Sequence, residues 1–208
     1  MGGMTTGHSN RADTNRRRIL DVALTELLRD PEASMDHIAR AAGVVRRTVY
    51  GHFPSREALI AALVDSAVEA VGAAHAAGVA GAPDPATALA RAVIRIWDVA
   101  DRYRLLVSLA QRSVTMDGIH RRLDPVRADC ARLLHQGQEA GVFRSPLPAQ
   151  ALAYVHEQVL FGLMEAVNDG ALPAREAGPA AAITALTSAG VGPERATELV
   201  AGLRTTAT

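Results

Sequence analysis

The chain has 208 residues, of which 49% are hydrophobic and 21% charged, and this balance is typical of a globular protein and excludes a disordered one. Aromatic residues make up only 3% of the chain, and alanine- and leucine-rich stretches with a period of about 3.6 residues predict an all-α fold. The length allows one or two domains, and the formal net charge is zero.

The charges are unevenly distributed along the chain. Residues 1–56 contain nine arginines and six acidic residues, a net charge of +3, whereas residues 57–208 carry a net charge of −3. A basic N-terminal part with an acidic remainder suits modest affinity for phosphates, although a difference this small is also compatible with ordinary scatter.

Several classes of site are absent from the sequence. The single cysteine, Cys130, cannot form an internal disulfide, and no spacing of Cys and His indicates a zinc site. No uninterrupted apolar run approaches a membrane span of roughly 18 residues, and the N-terminus lacks a hydrophobic signal segment. We therefore expect a cytoplasmic protein without a membrane partner and without a cofactor.

The N-terminal segment is rich in Gly, Ser, Thr and Asn, so residues 1–13 are predicted to form a flexible tail. Arg11 and residues 16–18 could form an arm that reaches a minor groove, or could be solvated and touch phosphates non-specifically. Thr14 can cap a first helix that runs to about Leu28 and ends before the Asp30-Pro31 pair.

Residues 34–59 have the pattern of a helix-turn-helix. Ser34 is a suitable N-cap for a short helix, and Gly43 allows the sharp turn that follows it. A second short helix is predicted from Arg46 to His52, and its outer face carries Arg46, Arg47, Thr48, Tyr50 and His52. In such a motif the second helix enters the major groove of DNA.

The same region resembles the tetracycline-repressor (TetR) family of transcriptional regulators over about residues 14–60. The resemblance rests on successive short segments: Arg18-Ile19-Leu20-Asp21-Val22-Ala23, Ile38-Ala39, Ala42-Gly43-Val44, Thr48-Val49-Tyr50, His52-Phe53 and Ser55-Arg56-Glu57-Ala58-Leu59. It implies an all-α homodimer with a helix-turn-helix DNA-binding domain at residues 14–60 and a ligand-binding and dimerisation domain at residues 61–208. Family members typically repress transcription until a small molecule releases them.

The resemblance also implies roles for individual residues. Tyr50 and His52 stand where members of the family contact the sugar-phosphate backbone, and Arg56 stands where a Lys usually meets phosphate. The residues from which base edges are usually read correspond to Arg46, Arg47 and Thr48, and Ser34 completes the candidate DNA contacts. Val45 departs from the family pattern, in which a Ser or Thr usually opens the recognition helix.

The rest of the chain is predicted to be helical. A fourth helix runs from Ser55 to about His75, and residues 76–85 are predicted to form a loop. Further helices are predicted at residues 86–101, 103–112, 116–140, 148–168 and 175–189, and from Pro193 onwards. Asp124-Pro125 should kink or restart the helix at residues 116–140.

Ligand pockets combine apolar walls with a few polar groups, and we chose the candidate effector contacts by this criterion. They are Trp97, Tyr103, Met116, His120, Tyr154, Glu157 and Phe161. We hypothesise a mostly hydrophobic small molecule held by Trp97, Tyr154 and Phe161, with Glu157 or His120 fixing a polar end. For any single apolar residue of this set, ordinary core packing is the competing interpretation.

The sequence thus predicts a ligand-responsive regulator that binds a palindromic double-stranded DNA operator as a homodimer. An enzyme is disfavoured because no nucleophile elbow, HExxH motif or phosphate-binding loop is present. A helical ligand- or partner-binding dimer that has lost DNA binding is the other alternative.

Overall fold

A computed structural model describes residues 6–110 and 115–205, with side chains over residues 13–107 and 115–203. This part of the chain contains nine α-helices and no strand, so the predicted all-α fold is confirmed. The helices are α1 (Thr6–Arg29), α2 (Met35–Ala41), α3 (Arg46–His52), α4 (Arg56–Val79), α5 (Pro85–Ala110), α6 (Met116–Glu139), α7 (Ala149–Asn168), α8 (Ala174–Ser188) and α9 (Pro193–Thr205).

The chain divides into two compact units. Unit 1 comprises Met1–Ser66 and Leu105–Ile119, and unit 2 comprises Ala67–Arg104 and His120–Thr208. The helices α4, α5 and α6 each contribute residues to both units.

The core of unit 1 is made by apolar residues of its first three helices. Ile19 of α1, Ile38 of α2 and Val49 of α3 are completely buried, and Phe53, which ends α3, is 2% exposed. Gly43 has a φ of 62°, the left-handed conformation that the turn between α2 and α3 requires. The helix-turn-helix predicted from local pattern is therefore present.

The first helix begins earlier than the sequence suggested. It starts at Thr6 and not at Thr14, so residues 6–13 of the predicted flexible tail are helical and that part of the prediction is wrong. No Pro or Gly interrupts residues 8–29, and α1 can therefore extend backwards from its packed portion without a breaker. Residues 1–5 lie outside the described residues.

The fourth helix is longer than predicted and includes Gly78, which was assigned to a loop. Residues 76–79 belong to α4, although the Gly- and Ala-rich composition predicted a loop from residue 76. A Cβ atom on Gly78 would lie 2.4 Å from the Cα of Ala92 in α5, so this glycine permits two helices to approach closely. Gly81, with a φ of 63°, lies in the turn that follows the helix.

The two helices predicted at residues 86–101 and 103–112 form one continuous helix, α5, as far as the described residues extend. The predicted break at Asp101 and Arg102 contains neither Gly nor Pro. Arg104 instead pairs with Asp101 across it, with 2.8 Å between Nε and Oδ1, which supports the helix through an i,i+3 contact.

A kink or a restart was predicted at Asp124-Pro125, and the restart is wrong, since α6 contains Pro125 in its interior. Proline supplies no backbone N–H, so the turn before it has one hydrogen bond fewer. The guanidinium of Arg127 donates to the carbonyl of His120 in that turn at 2.9 Å, and this side-chain contact braces the helix beside the proline.

The core of unit 2 is rich in small side chains. Along α8, five alanines are buried together with Leu186: Ala177, Ala181, Ala182, Ala185 and Ala189, the last of which caps the helix. Leu133 and Leu134 of α6 and Leu152 of α7 belong to one hydrophobic cluster with Leu186 and all of these alanines except Ala177. The small residues allow neighbouring helices to pack at short distance, and the larger leucines fill the remaining space.

In length and composition alone, α4 resembles a membrane-crossing helix, with a mean hydropathy of 1.4 over its most apolar window. No other helix of the described residues meets this criterion. The helix carries Asp65 and Glu69, and one third of that window is buried in the protein.

Gly137 of α6 is expected to tolerate no side chain. A Cβ atom there would lie 2.1 Å from Cδ2 of the Phe143 ring, whose side chain is 3% exposed and cannot move aside freely. We expect Gly137→Ala to lower the free energy of unfolding by about 1–3 kcal/mol, measured by urea denaturation.

The matched control is Gly162→Ala in α7, because nothing lies within 4 Å of a Cβ atom at that position. Alanine is the better helix former, so this variant should be unchanged or more stable by up to about 1 kcal/mol. Equal effects of the two substitutions would contradict the packing explanation.

Candidate functional site

The recognition helix α3 is held in place by packing. It has seven residues, too few to be stable in isolation, and Val49 and Phe53 anchor it in the core of unit 1. Its N-cap, Val45, makes no side-chain capping hydrogen bond and is 69% exposed. The departure from Ser or Thr therefore leaves the start of α3 without a side-chain cap.

The predicted base-reading and backbone-contacting residues differ in their exposure. Arg47 and Tyr50 are exposed on α3, whereas Thr48 and His52 are partly buried. The ring of His52 lies 6.1 Å from that of Phe53, between centroids. Among the described residues Arg47 has no hydrogen-bond or ion-pair partner, so its guanidinium is available to an external ligand.

Arg46 is engaged in contacts of its own. Its Nη1 donates to Oδ2 of Asp36 in α2 at 2.9 Å, and its Nη2 lies 3.4 Å from the hydroxyl of Tyr50. The guanidinium carbon lies 5.1 Å from the centre of the Tyr50 ring, within cation–π range. The sequence did not predict the contact with Asp36.

Ser34 and Arg56 both make local structural contacts. The Ser34 hydroxyl accepts a hydrogen bond from the backbone N–H of His37 at 3.1 Å, which confirms its role as the N-cap of α2. Arg56, the first residue of α4, donates to the carbonyl of Pro31. Both residues line an open concavity of about 370 Å³ together with Glu32, Met35, Asp36, Arg46 and Tyr50.

The arginines considered for an N-terminal arm lie on α1. Arg16 places its guanidinium 5.4 Å from the centre of the Phe53 ring, and Arg18 donates to the carbonyl of Ala42 at the end of α2. Both side chains brace the helix-turn-helix, and these contacts disfavour the alternative in which Arg16 and Arg18 form an arm. The side chain of Arg11 lies outside the described side chains.

Unit 2 contains a second group of predicted site residues, brought together by α6 and α7. The α6–α7 cluster consists of His120, Arg127, Tyr154, Glu157 and Phe161. Nδ1 of His120 lies 2.6 Å from Oε1 of Glu157. The His120 ring stacks at 6.2 Å on Tyr154 and meets Phe161 edge-on at 5.5 Å, between centroids. Four of the seven predicted effector contacts thus form one group.

Arg127 completes this cluster and was missed by the sequence analysis. Its Nε donates to Oε2 of Glu157 at 2.8 Å, and the guanidinium lies 5.1 Å from the centre of the Tyr154 ring. The hydrogen bond with Glu157 is the largest cause that raises the pKa of Arg127 above its ordinary value. An arginine 30 residues from its carboxylate partner gives no local signal in the sequence.

The remaining three predicted effector contacts lie elsewhere. Trp97 is 4% exposed and packs with Ala100, Met164 and Ala177, and Phe161 contacts this group as well as His120. The guanidinium of Arg102 lies 5.7 Å from the ring centre of Tyr103. Met116 belongs to unit 1.

The polar residues in the middle of α7 have separate environments. Gln158 is exposed, Glu157 belongs to the α6–α7 cluster, and His156 is 5% exposed. The Nε2 atom of His156 lies 2.9 Å from the hydroxyl of Ser188 in α8, and its buried Nδ1 has no hydrogen-bond partner among the described residues. Burial is the largest cause that lowers the pKa of His156, to about 4.

This buried histidine predicts a loss of stability in mild acid. Its pKa is about 4 in the folded protein against an ordinary value of 6.5, so below pH 6.5 the unfolded chain binds a proton more readily than the folded one. The free energy of unfolding should therefore be about 2 kcal/mol lower at pH 5 than at pH 7, as measured by urea denaturation.

The control is His156→Asn, which keeps a polar group at this position without a titratable ring. Its stability should fall less between pH 7 and pH 5 than that of the wild type. Some dependence should remain, because burial also lowers the pKa of His75. An identical loss in both proteins would refute the assignment to His156.

The helix-turn-helix segment matches a known protein family. Residues 19–63 match the family described as "Bacterial regulatory proteins, tetR family". Among curated proteins, by contrast, none matches this chain.

Solved structures match the fold over most of the chain. LfrR from Mycobacterium smegmatis, a TetR-like transcriptional regulator in complex with proflavine, is 26% identical, with a TM-score of 0.65 over 86% of this chain and 98% of that one. The fatty acid degradation regulator FadR from Bacillus halodurans is 19% identical, with a TM-score of 0.71 over 83% and 94%. RolR in complex with resorcinol is 20% identical, with a TM-score of 0.62 over 92% and 95%.

The helix-turn-helix of unit 1 and the all-α fold together define a DNA-binding transcriptional regulator. Residues 19–63 carry the DNA-binding domain of the TetR family, and the fold over most of the chain is similar to that of a TetR-like transcriptional regulator.

Proposed function

We propose that this regulator is a cytoplasmic, ligand-responsive repressor that binds a palindromic operator as a homodimer and is not an enzyme. The observation that carries the proposal is the exposed face of α3, from which Arg47 extends without a protein partner among the described residues. A two-fold dimer can place two such helices in successive major grooves, about 34–36 Å apart. In this proposal residues 14–60 bind DNA, and residues 61–208 bind the effector and the second protomer.

The DNA contacts divide by chemistry. Arg46, Arg47 and Thr48 read base edges in the major groove, where arginine can bind guanine through two parallel hydrogen bonds. Tyr50, His52 and Arg56 contact the sugar-phosphate backbone and fix the register, and Ser34 stands beside them at the start of α2.

The effector in this proposal is a small, largely hydrophobic molecule that contacts the α6–α7 cluster. The aromatic rings of Tyr154 and Phe161 flank the polar groups of His120 and Glu157, a combination that suits a flat ring with a polar substituent. Two of the similar structures are complexes with aromatic compounds, resorcinol in RolR and proflavine in LfrR. Phe161 packs against the cluster that contains Trp97, so the fluorescence of Trp97 should respond to an effector bound there.

Binding of the effector and binding of DNA are thermodynamically linked. A ligand that binds one conformation of the dimer better than another shifts the population and weakens DNA binding reciprocally, typically by about 1–3 kcal/mol. The helix α4 is suited to transmit the change because Arg56 begins it in unit 1 and its C-terminal part belongs to unit 2.

The DNA-binding part of the proposal is tested by selection from a pool of random-sequence duplexes. We expect enrichment of a two-fold symmetric sequence, and a gel shift with two protomers bound per site. Failure to enrich any sequence would overturn the repressor proposal and favour a helical dimer without specific DNA binding.

The effector part is tested with Trp97, the only tryptophan of the chain. Small aromatic compounds that raise the melting temperature should change its fluorescence and release the selected operator in a gel shift. A compound that releases the operator without changing Trp97 fluorescence would contradict the placement of the effector near Phe161.

A further inference from the structure

The contact between Asp36 and Arg46 is the feature of unit 1 that the proposed function leaves unexplained. Asp36 lies in the first turn of α2 and Arg46 is the first residue of α3, so the pair joins the two helices of the DNA-binding motif. The two side chains are 48% and 65% exposed, respectively. An ion pair exposed to this extent contributes little to folding.

The carboxylate of Asp36 is only partly satisfied. Oδ2 accepts from Arg46, whereas Oδ1 is buried and has no hydrogen-bond partner among the described residues. A buried acceptor without a donor lowers stability, so the contact between Asp36 and Arg46 adds little to it.

Asp36 and Tyr50 fix the direction of the Arg46 guanidinium. Each engages one terminal nitrogen, Nη1 for Asp36 and Nη2 for Tyr50, and the tyrosine ring lies alongside the guanidinium. The guanidinium has five N–H groups, so both terminal nitrogens retain an N–H that can be donated to a base. An arginine already held in one rotamer loses less conformational entropy when it binds.

The pair also changes the charge that DNA meets. A free arginine attracts phosphates in any sequence, but a carboxylate at 2.9 Å cancels most of that attraction. Arg47, on the same helix and without a partner among the described residues, keeps its full charge. Arg46 and Arg47 are therefore electrostatically different, although they are adjacent in the sequence.

We propose that Asp36 is a specificity-determining positioning residue, which orients Arg46 toward a base edge and suppresses binding of this regulator to non-operator DNA. The inference depends on the proposed DNA-binding role of α3. Asp36 acts through Arg46 and needs no contact with the operator.

The test compares Asp36→Asn with the wild type on two labelled duplexes, the selected operator and a scrambled sequence, by fluorescence anisotropy in about 50–200 mM potassium chloride. For the variant we expect binding to the scrambled duplex that is about three- to tenfold tighter, and a salt slope that is steeper by up to about 0.9. The ratio of operator to scrambled affinity should fall roughly tenfold.

The matched control is Asp13→Asn, which removes one negative charge from an exposed position on α1. It should leave the affinity ratio unchanged. In the background of Arg46→Ala, Asp36→Asn should no longer change the ratio, because the residue that it positions is absent.

The inference is overturned if Asp36→Asn keeps the wild-type ratio and salt slope, if Asp13→Asn changes them equally, or if the effect persists without Arg46. Circular dichroism establishes whether each variant is folded. If Asp36→Asn does not fold, Asp36→Ala replaces it in the same test. Failure of the wild type to select any operator would instead refute the proposed function.

Discussion

Replacement of Arg47 with alanine is expected to weaken operator binding by about ten- to a hundredfold while leaving the melting temperature almost unchanged. The side chain is exposed on α3 and has no partner among the described residues, so its removal breaks no intramolecular contact. An arginine that reads a base is worth about 1–3 kcal/mol of binding free energy. Alanine is a good helix former, and α3 should therefore persist.

A titration by gel shift against the selected operator measures the loss, and thermal unfolding measures the stability. The matched control is Arg175→Ala in α8, which removes the same charge from a side chain that is 82% exposed in unit 2. Wild-type operator affinity in Arg47→Ala, or an equal loss in the control, would show that Arg47 does not read the operator.

Replacement of Glu157 with alanine should cause the largest loss of stability that a single substitution in the α6–α7 cluster can produce. The Glu157 side chain is 11% exposed and is hydrogen-bonded to both His120 and Arg127. Without it, the guanidinium of Arg127 stays mostly buried with only Asp124 beside it, at 2.5 Å. Removal of one partner of a buried ion pair typically costs about 3–5 kcal/mol, and we expect about 3 kcal/mol because Asp124 remains.

Urea denaturation at neutral pH measures this effect. Glu157→Gln keeps the shape and one acceptor, and it should lose less stability than the alanine variant. Glu165→Ala is the control, since this acidic residue is exposed on the same helix. A loss below about 0.5 kcal/mol in Glu157→Ala, the range of ordinary surface substitutions, would refute the structural importance of the cluster.

The α6–α7 cluster, which is the proposed effector site, was predictable only in part. Tyr154, Glu157 and Phe161 were predicted from the spacing of aromatic and polar residues on α7. In the structure all three contact His120. Trp97 met the same criteria but packs in the core. The sequence did not distinguish the two cases, because an apolar residue at helical spacing has the same pattern whether it lines a pocket or packs in the core.

The errors in helix boundaries have a common physical origin. Gly78 indicated a loop, yet it serves a close helix contact, and Pro125 indicated a break, yet Arg127 supports the turn before it. Gly and Pro are reliable signals for local backbone preference, but packing against a distant helix can override that preference. The structural effect of Gly78 and Pro125 therefore depends on contacts with other residues, which their neighbours in the sequence do not indicate.

The sequence by itself determined the all-α fold and the helix-turn-helix, because these follow from local signals: the Ser34 cap, the left-handed Gly43 and the apolar spacing of α1 to α3. Only the tertiary structure decided which charged groups meet. Asp36 reaches Arg46 across ten residues, and Arg127 reaches Glu157 across 30. Such pairs depend on how whole helices pack, and a charged residue has no periodic signature that identifies its partner.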